Sequence, residues 1–209
     1  MSFNSSPHSS STPMPTPGLS SLKPSSAANL ETLARLREKT GMIPASQLEA
    51  SHLHCSALPA GISKAAITEL SGTAGSGKSE VALRFLAENP GIRAAWIESD
   101  LTAYPRAFPL HGVDLDRILF CAAGNELIWS TQQILRSGIF PVVVIAPQLA
   151  LTPTDLRRIQ LGAEQSQSSV LLISEKPTSA GAWTIRSQYQ IIRGWSLPQA
   201  HPLKLRKSA

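Results

Sequence analysis

The chain has 209 residues and a net charge of +5, and only 16% of its residues are charged. This length suits one domain with a core and additional tails, and the mild basic excess permits a nucleic acid or an acidic partner without requiring either. Two cysteines are too few for a disulfide scaffold or a four-cysteine zinc site, and the lack of a membrane-length apolar run or a secretory signal favours a cytoplasmic protein.

Residues 1–28 have the composition of a disordered tail. They contain ten Ser and five Pro and few large apolar residues. Such a segment cannot bury enough apolar surface to offset the entropy that it would lose on ordering. We therefore expect a Ser/Pro-rich disordered tail, followed at residues 29–56 by a short helix and a linker.

A short amphipathic helix is predicted over residues 29–39. Leu30, Leu33 and Leu36 fall on one stripe of this helix, and Arg37 follows them. A helix of this length is marginal alone, so another surface must cover the stripe. Two interpretations stay open: the helix folds back onto its own domain, or it docks on a partner through these four side chains.

From residue 66 the pattern alternates between strands and helices. Strands are predicted at residues 66–71, 93–99, 117–122, 140–146 and 169–174, and helices at 78–89, 125–137 and 154–166. Thr152 or Thr154 is the expected cap of the last helix, and residues 183–194 resemble two short strands with a turn near Ser187 and Gln188. The alternation predicts an α/β domain over residues 57–197, with a mostly parallel central sheet flanked by helices. Residues 198–209 are expected to form a basic C-terminal tail.

The strongest motif is Gly72-Thr73-Ala74-Gly75-Ser76-Gly77-Lys78-Ser79, which fits the phosphate-loop pattern between a predicted strand and a predicted helix. Glycines allow consecutive backbone N–H groups to point into one concavity that holds phosphate oxygens, and the helix N-terminus adds a favourable dipole. Lys78 then reaches the outer phosphates, and the Ser79 hydroxyl can ligate Mg²⁺. The sequence therefore predicts a nucleotide-binding site in which Ser79 can ligate Mg²⁺.

The groups needed for hydrolysis are incomplete. A metal-positioning Asp normally ends a later apolar strand, but the strand predicted at residues 140–146 ends in Ala146, followed by Pro147. Glu98 and Asp100 end the neighbouring strand, and one of them could orient an attacking water. The alternative is a solvated strand end, or a helix cap made by Asp100. We expect nucleotide binding with hydrolysis that is slow, absent or stimulated by a partner.

Several passages resemble the core of RecA-type recombinases, between about residues 57 and 194. They are the lead-in to the phosphate loop, Trp96-Ile97-Glu98-Ser99-Asp100, His111-Gly112-Val113-Asp114-Leu115-Asp116-Arg117 and the turn Ala150-Leu151-Thr152-Pro153. The resemblance implies a RecA-like P-loop fold in which Asp100 stands at the family's catalytic Glu and Ala146 at its metal-binding Asp.

The chain also departs from the recombinase pattern. Residues 147–168 and 175–183 are too short to carry the family's two DNA-binding loops, and no C-terminal domain is expected, so an autonomous recombinase is not predicted. A short RecA-like chain with a Leu/Arg helix is similar to the ImuA family of translesion-synthesis accessory proteins. That resemblance implies a damage-induced (SOS) role near the bacterial nucleoid, with RecA and an inactive Y-family polymerase homologue as partners.

Other functions remain as alternatives. One is a DNA-stimulated ATPase that uses Glu98 or Asp100, and another is a damage-induced inhibitor of cell division, a related group that usually lacks an intact phosphate loop. A small-molecule P-loop kinase would require an Arg-rich lid, which the sequence does not suggest. Direct contact with single-stranded DNA is expected to be weak. Trp183 is the best candidate for it, whereas Trp96 and Trp129 fit apolar patterns and are expected in the core.

Overall fold

The computed structural model describes residues 52–179, 183–195 and 197–205, which lie within one unit, Ala45–Ala209. The predicted Ser/Pro-rich tail and the predicted docking helix with Leu30, Leu33, Leu36 and Arg37 lie outside the described residues. Within the described ranges, no helix is both long enough and apolar enough to cross a membrane.

Strands and α-helices alternate through the described part of the chain. The strands are β1 (His52–Leu53), β2 (Ile62–Ser63), β3 (Ile67–Ser71), β4 (Ala94–Glu98), β5 (Ile118–Ala122), β6 (Val142–Ala146), β7 (Ser169–Ser174), β8 (Ile185–Arg193) and β9 (Pro198–Leu205). The helices are α1 (Lys78–Glu88), α2 (Ala107–Leu110), α3 (Leu127–Ser137) and α4 (Pro153–Ser166). Short 3₁₀ turns at Leu115–Arg117 and Gly124–Glu126 precede β5 and α3.

Seven strands form one sheet in the spatial order β5-β4-β6-β7-β3-β8-β9, and β1 and β2 form a separate antiparallel pair. Within the sheet all neighbours are parallel except β8 and β9, which confirms the predicted α/β architecture with a mostly parallel sheet. The register pairs Ser71 with Ser174 and Glu98 with Ala146. Because parallel strands share one direction, the residues that follow β3, β4, β6 and β7 meet at the same carboxyl edge.

Apolar side chains cover both faces of the sheet. On one face Phe85 and Leu86 of α1 pack in a cluster with Trp96 of β4. On the other face Leu135 of α3 and Leu156 of α4 belong to the second cluster. Fully burying such a side chain stabilises a fold by about 1.5–3 kcal/mol, so the continuous apolar run of β6 is explained by helices on both sides of it.

Hydrogen bonds and backbone conformations mark the ends of the helices. Thr152 caps α4: its hydroxyl accepts a hydrogen bond from the backbone N–H of Asp155 (3.2 Å), and the Asp155 carboxylate accepts one from the N–H of Thr152 (3.2 Å). Gly138 ends α3 with a left-handed φ of 65°. The Arg117 guanidinium donates to the carbonyl oxygen of Leu86 (2.6 Å), near the end of α1.

The strands in the C-terminal part of the sheet differ from the predicted ones. Residues 185–193 form the single strand β8 rather than two short strands, and the expected turn residues Ser187 and Gln188 are buried within it. The expected basic tail contains the edge strand β9, so the sheet continues past residue 197. Trp96 is buried as expected, but Trp129 is 59% exposed on α3 and does not belong to the core.

Candidate nucleotide-binding site

The phosphate-loop motif lies at the junction of β3 and α1. Gly75 (φ 75°) and Gly77 (φ 95°) have left-handed backbone conformations that residues with a side chain rarely adopt. A Cβ atom at Gly72 would stand 2.5 Å from the carbonyl oxygen of Ile191, which is too close for any side chain. The geometry therefore requires glycine at all three positions of the loop.

Lys78 folds back against the loop. Its Nζ atom donates hydrogen bonds to the carbonyl oxygens of Gly72 and Thr73, the latter at 3.1 Å. Burial lowers the pKa of the Lys78 ammonium, and the negative charge of Glu175 opposes this shift. The amine is therefore positioned at the loop itself, where the motif requires a positive charge for the outer phosphates.

The polar groups of the loop fit a triphosphate with Mg²⁺. Gly77 is the N-cap of α1 and has no side chain to cap the first N–H groups of the helix, so these donors remain for a ligand in the loop. The Ser76 hydroxyl is buried without a hydrogen-bond partner, and Ser79 is exposed in the first helical turn. Backbone donors, an ammonium and a serine hydroxyl form the donor set that phosphate oxygens and Mg²⁺ require.

A cavity of about 380 Å³ opens beside the loop. Residues 72–76 form one wall, and residues 190–193 at the end of β8 form the other. Arg193 on the second wall forms an ion pair with Glu80 of α1, with Nη1 and Oε2 3.1 Å apart. The loop therefore has open space next to it that a nucleotide can enter.

Glu98 ends β4 at the carboxyl edge, opposite the end of β6. Ala146 ends β6 directly opposite Glu98, so this position of β6 lacks a carboxylate. The Glu98 carboxylate is buried and accepts hydrogen bonds from the indole N–H of Trp96 (2.8 Å), the hydroxyl of Thr102 (3.0 Å) and the backbone N–H groups of Thr102 and Ala103. Both oxygens of Glu98 therefore hold the turn after β4, and its water-orienting role remains a prediction.

Asp100 keeps an exposed carboxylate at the same edge. It accepts a hydrogen bond from the Nε2 atom of Gln148, which follows β6. The residues after β4 and β6 are thus joined by this contact. Of the two predicted acids, Asp100 is the one whose carboxylate stays accessible, and its water-orienting role remains a prediction.

The sequence is similar to RecA proteins over part of its length. The RecA of Aquifex pyrophilus is 29% identical over 119 residues, which are 55% of this chain and 34% of that protein. The RecA of Nostoc punctiforme is 35% identical over 102 residues, which are 46% of this chain and 28% of that protein. This chain therefore spans about a third of the length of the curated relatives that it matches. No protein-family model matches the chain.

A solved structure extends the comparison to the fold. The crystal structure of the RadB recombinase superposes with a TM-score of 0.57 at 15% identity, and the match covers 74% of this chain and 87% of that one. The fold is RecA-like. In this RecA-like core, the phosphate loop, the turn after Glu98 and the end of β6 at Ala146 all lie at the carboxyl edge of the sheet.

Glu69 is a structural part of the site that the sequence analysis missed. It is fully buried in β3 of the RecA-like core, three residues before the loop. Its carboxylate accepts hydrogen bonds from Ser174 Oγ (2.9 Å), Thr178 Oγ1 (2.7 Å) and Gln188 Nε2 (2.7 Å). A lone Glu in an apolar strand indicates a buried carboxylate, but its donors lie more than 100 residues further along the chain, where no local pattern identifies them.

A second cavity, of about 560 Å³, lies beyond the carboxyl ends of β6 and β7. Residues 147–151 and 174–179 contribute to its wall, together with Arg157 and Trp183. The Arg157 guanidinium stands 4.7 Å from the centre of the Trp183 ring, and Trp183 is 58% exposed. The short connections of this RecA-like core therefore border an open, partly apolar surface.

Proposed function

We propose that this chain is a RecA-like, ATP-binding accessory protein. The observation that carries the proposal is the complete phosphate loop between β3 and α1, with Lys78 against it and a cavity of about 380 Å³ beside it. Residues 72–79 would hold the phosphates through backbone N–H groups and the Lys78 ammonium. Mg²⁺ would bind the Ser79 hydroxyl and the phosphate oxygens.

Weak or absent intrinsic hydrolysis is part of the proposal. Phosphoryl transfer needs a positioned metal and an oriented water, and Ala146 and the fully engaged Glu98 supply neither. A DNA-stimulated RecA-like ATPase is the second candidate. It is favoured by Asp100, whose exposed carboxylate lies at the carboxyl edge with Gln148.

The biological setting that we propose is damage-induced (SOS) translesion synthesis in the bacterial cytoplasm. The protein would modulate RecA and an error-prone polymerase complex that includes a Y-family polymerase homologue. Support comes from RecA similarity that covers 44–55% of this chain and about a third of each RecA, and from the Leu/Arg pattern at residues 29–39. A damage-induced inhibitor of cell division is the alternative, and the intact loop argues against it.

Calorimetric titration with Mg-ATP tests the nucleotide site. We expect saturable binding to the wild type and an affinity about 10- to 100-fold lower for Lys78→Ala, since a hydrogen bond to a charged group contributes about 1.5–3 kcal/mol. Lys64→Ala is the matched control, because Lys64 is exposed and lies before β3. A wild type that produces no binding heat would overturn the proposal.

Turnover measurements separate the accessory protein from the ATPase. An accessory protein binds ATP but hydrolyses little of it, with or without single-stranded DNA and RecA. A DNA-stimulated ATPase shows turnover that rises with DNA and disappears in both Lys78→Ala and Asp100→Asn. Turnover that depends on Lys78 but not on Asp100 would remove Asp100 from the site.

Partner capture tests the predicted docking helix. A chain without residues 29–40 should bind Mg-ATP like the full chain but should capture less purified RecA and polymerase homologue. Leu33→Glu is a milder variant with the same expected direction, because it places a charge on the stripe that the sequence predicts to be apolar. Unchanged capture by both variants would exclude Leu30, Leu33, Leu36 and Arg37 from docking.

A further inference from the structure

Glu175 lies next to the phosphate loop, outside the residues 72–79 that would hold the nucleotide. It follows β7 directly, and β7 lies between β6 and β3 in the sheet. The backbone N–H of Gly72 donates a hydrogen bond to the carbonyl oxygen of Ser174 (3.2 Å), so the end of β7 adjoins the first residue of the loop. Glu175 is exposed and borders the second cavity, and its negative charge opposes the lowering of the pKa of Lys78.

The other acids at this edge are either engaged by hydrogen bonds and ion pairs or lie farther from the loop strand. The Glu98 carboxylate is buried under its donors, and Asp100 follows β4, which is separated from the loop strand by β6 and β7. Glu80 lies in the first turn of α1, but it is paired with Arg193. Glu175 therefore combines an exposed carboxylate with a position one strand closer to the loop than Ala146.

We propose that Glu175 supplies the carboxylate that holds the hydrated Mg²⁺ of the bound nucleotide, in place of the acid that Ala146 lacks. This inference rests on the proposed binding of Mg-ATP. Mg²⁺ keeps several of its waters in phosphate sites and is held by one or two carboxylates together with the phosphates. Because β7 is the strand next to β3, a carboxylate that follows β7 would stand nearer to this hydration shell than one at the end of β6.

The competing possibility is that Glu175 only repels the terminal phosphate. The two possibilities predict opposite effects of removing the charge. If Glu175 holds the metal, Glu175→Gln weakens ATP binding in the presence of Mg²⁺. If Glu175 only repels phosphate, the same substitution strengthens ATP binding whether or not Mg²⁺ is present.

The test is a calorimetric titration with ATP, in Mg²⁺ and again in EDTA. We expect Mg²⁺ to raise the affinity of the wild type, and Glu175→Gln to reduce this gain about tenfold or more, the range known for residues that act through a metal's outer shell. Without Mg²⁺ the variant should bind ATP at least as tightly as the wild type. Glu175→Asp keeps the carboxylate and should retain part of the gain in ATP affinity from Mg²⁺. Glu126→Gln is the matched control, because Glu126 is an exposed Glu after the edge strand β5, and it should retain all of this gain.

Mn²⁺ gives a readout that is independent of heat. Electron paramagnetic resonance of Mn²⁺ with ATP should show a bound metal signal in the wild type that is weaker in Glu175→Gln. An unchanged signal, or a gain from Mg²⁺ equal to that of the wild type, would overturn the role of Glu175 and leave the nucleotide site intact. A wild type that binds no nucleotide would overturn both proposals, so the two failures are distinguishable.

Discussion

Two buried glutamates organise the loops around the candidate site. Glu69 and Glu98 lie in strands that lead to the carboxyl edge, and each carboxylate accepts hydrogen bonds from the segment that follows a strand. A buried carboxylate without donors would be strongly destabilising, whereas one that is fully engaged fixes the position of its donors. These two acids therefore hold the turns in place, whereas the carboxylates of Asp100 and Glu175 are exposed.

Cys55 supports a prediction about pH. Its thiol is 2% exposed in the core, and burial raises its pKa from 9.0 to about 11. As the pH rises, the thiol of the unfolded chain loses its proton first. The buried, protonated thiol therefore stabilises the folded state fully below pH 9.0, and this contribution is lost as the pH rises towards 11. A difference of about two pK units corresponds to about 3 kcal/mol.

Urea denaturation across this pH range checks the prediction for Cys55. The free energy of unfolding of the wild type should fall more steeply between about pH 8.5 and pH 11 than that of Cys55→Ala. Cys121→Ala is the control for removing a thiol elsewhere in the chain, because Cys121 is only partly buried. Equal slopes for all three proteins would contradict the assignment of the shift to Cys55.

At the scale of the element, the first turn of α4 supports a stability prediction. Thr152→Ala removes the hydroxyl that accepts the Asp155 N–H and should lower the free energy of unfolding by about 1 kcal/mol. Thr154→Ala, two residues later and also exposed, should change it by less than about 0.5 kcal/mol. Chemical denaturation of the two variants compares them directly. An equal loss in both would show that the capping box does not decide where α4 begins.

The parallel strands and the main helices could be predicted because local patterns define them. β6 and β7 are continuous apolar runs, and α4 has its cap and its proline in the expected places. β8 differs from the predicted pair of strands because its polar centre resembles a turn. In the structure Gln188 is buried in this strand and donates a hydrogen bond to the Glu69 carboxylate. β9 was missed because it contains Pro198 and Pro202, which a strand tolerates at the edge of a sheet.

The candidate site also has one part that the sequence predicts and another that depends on the assembled fold. The phosphate loop follows from eight consecutive residues, so its position and its glycines could be predicted without the fold. The role of Glu98 depends on Trp96 and on the turn that follows, and the position of Glu175 depends on the strand order. Such relations between segments distant in sequence require the assembled sheet, because no local pattern fixes which strands become neighbours.

At the scale of the whole molecule, the two edges of the sheet differ. β5 is a parallel edge strand, whereas β9 pairs antiparallel with β8. β9 also reaches the phosphate loop, since a Cβ atom at Gly77 would stand 2.4 Å from Cγ of Pro198. The C-terminal strand therefore covers an otherwise open edge and packs against the start of α1.

Removing residues 197–209 should test this double role of β9. The truncated chain would leave β8 as an unpaired edge and expose hydrogen-bonding groups that favour association between copies. We expect a lower free energy of unfolding, larger species in size-exclusion chromatography and weaker Mg-ATP binding, because Gly77 loses its contact with Pro198. Removing only residues 206–209 keeps β9 and should leave all three properties unchanged. A truncated chain that matches the wild type in stability, size and nucleotide affinity would show that β9 is dispensable for both the sheet and the loop.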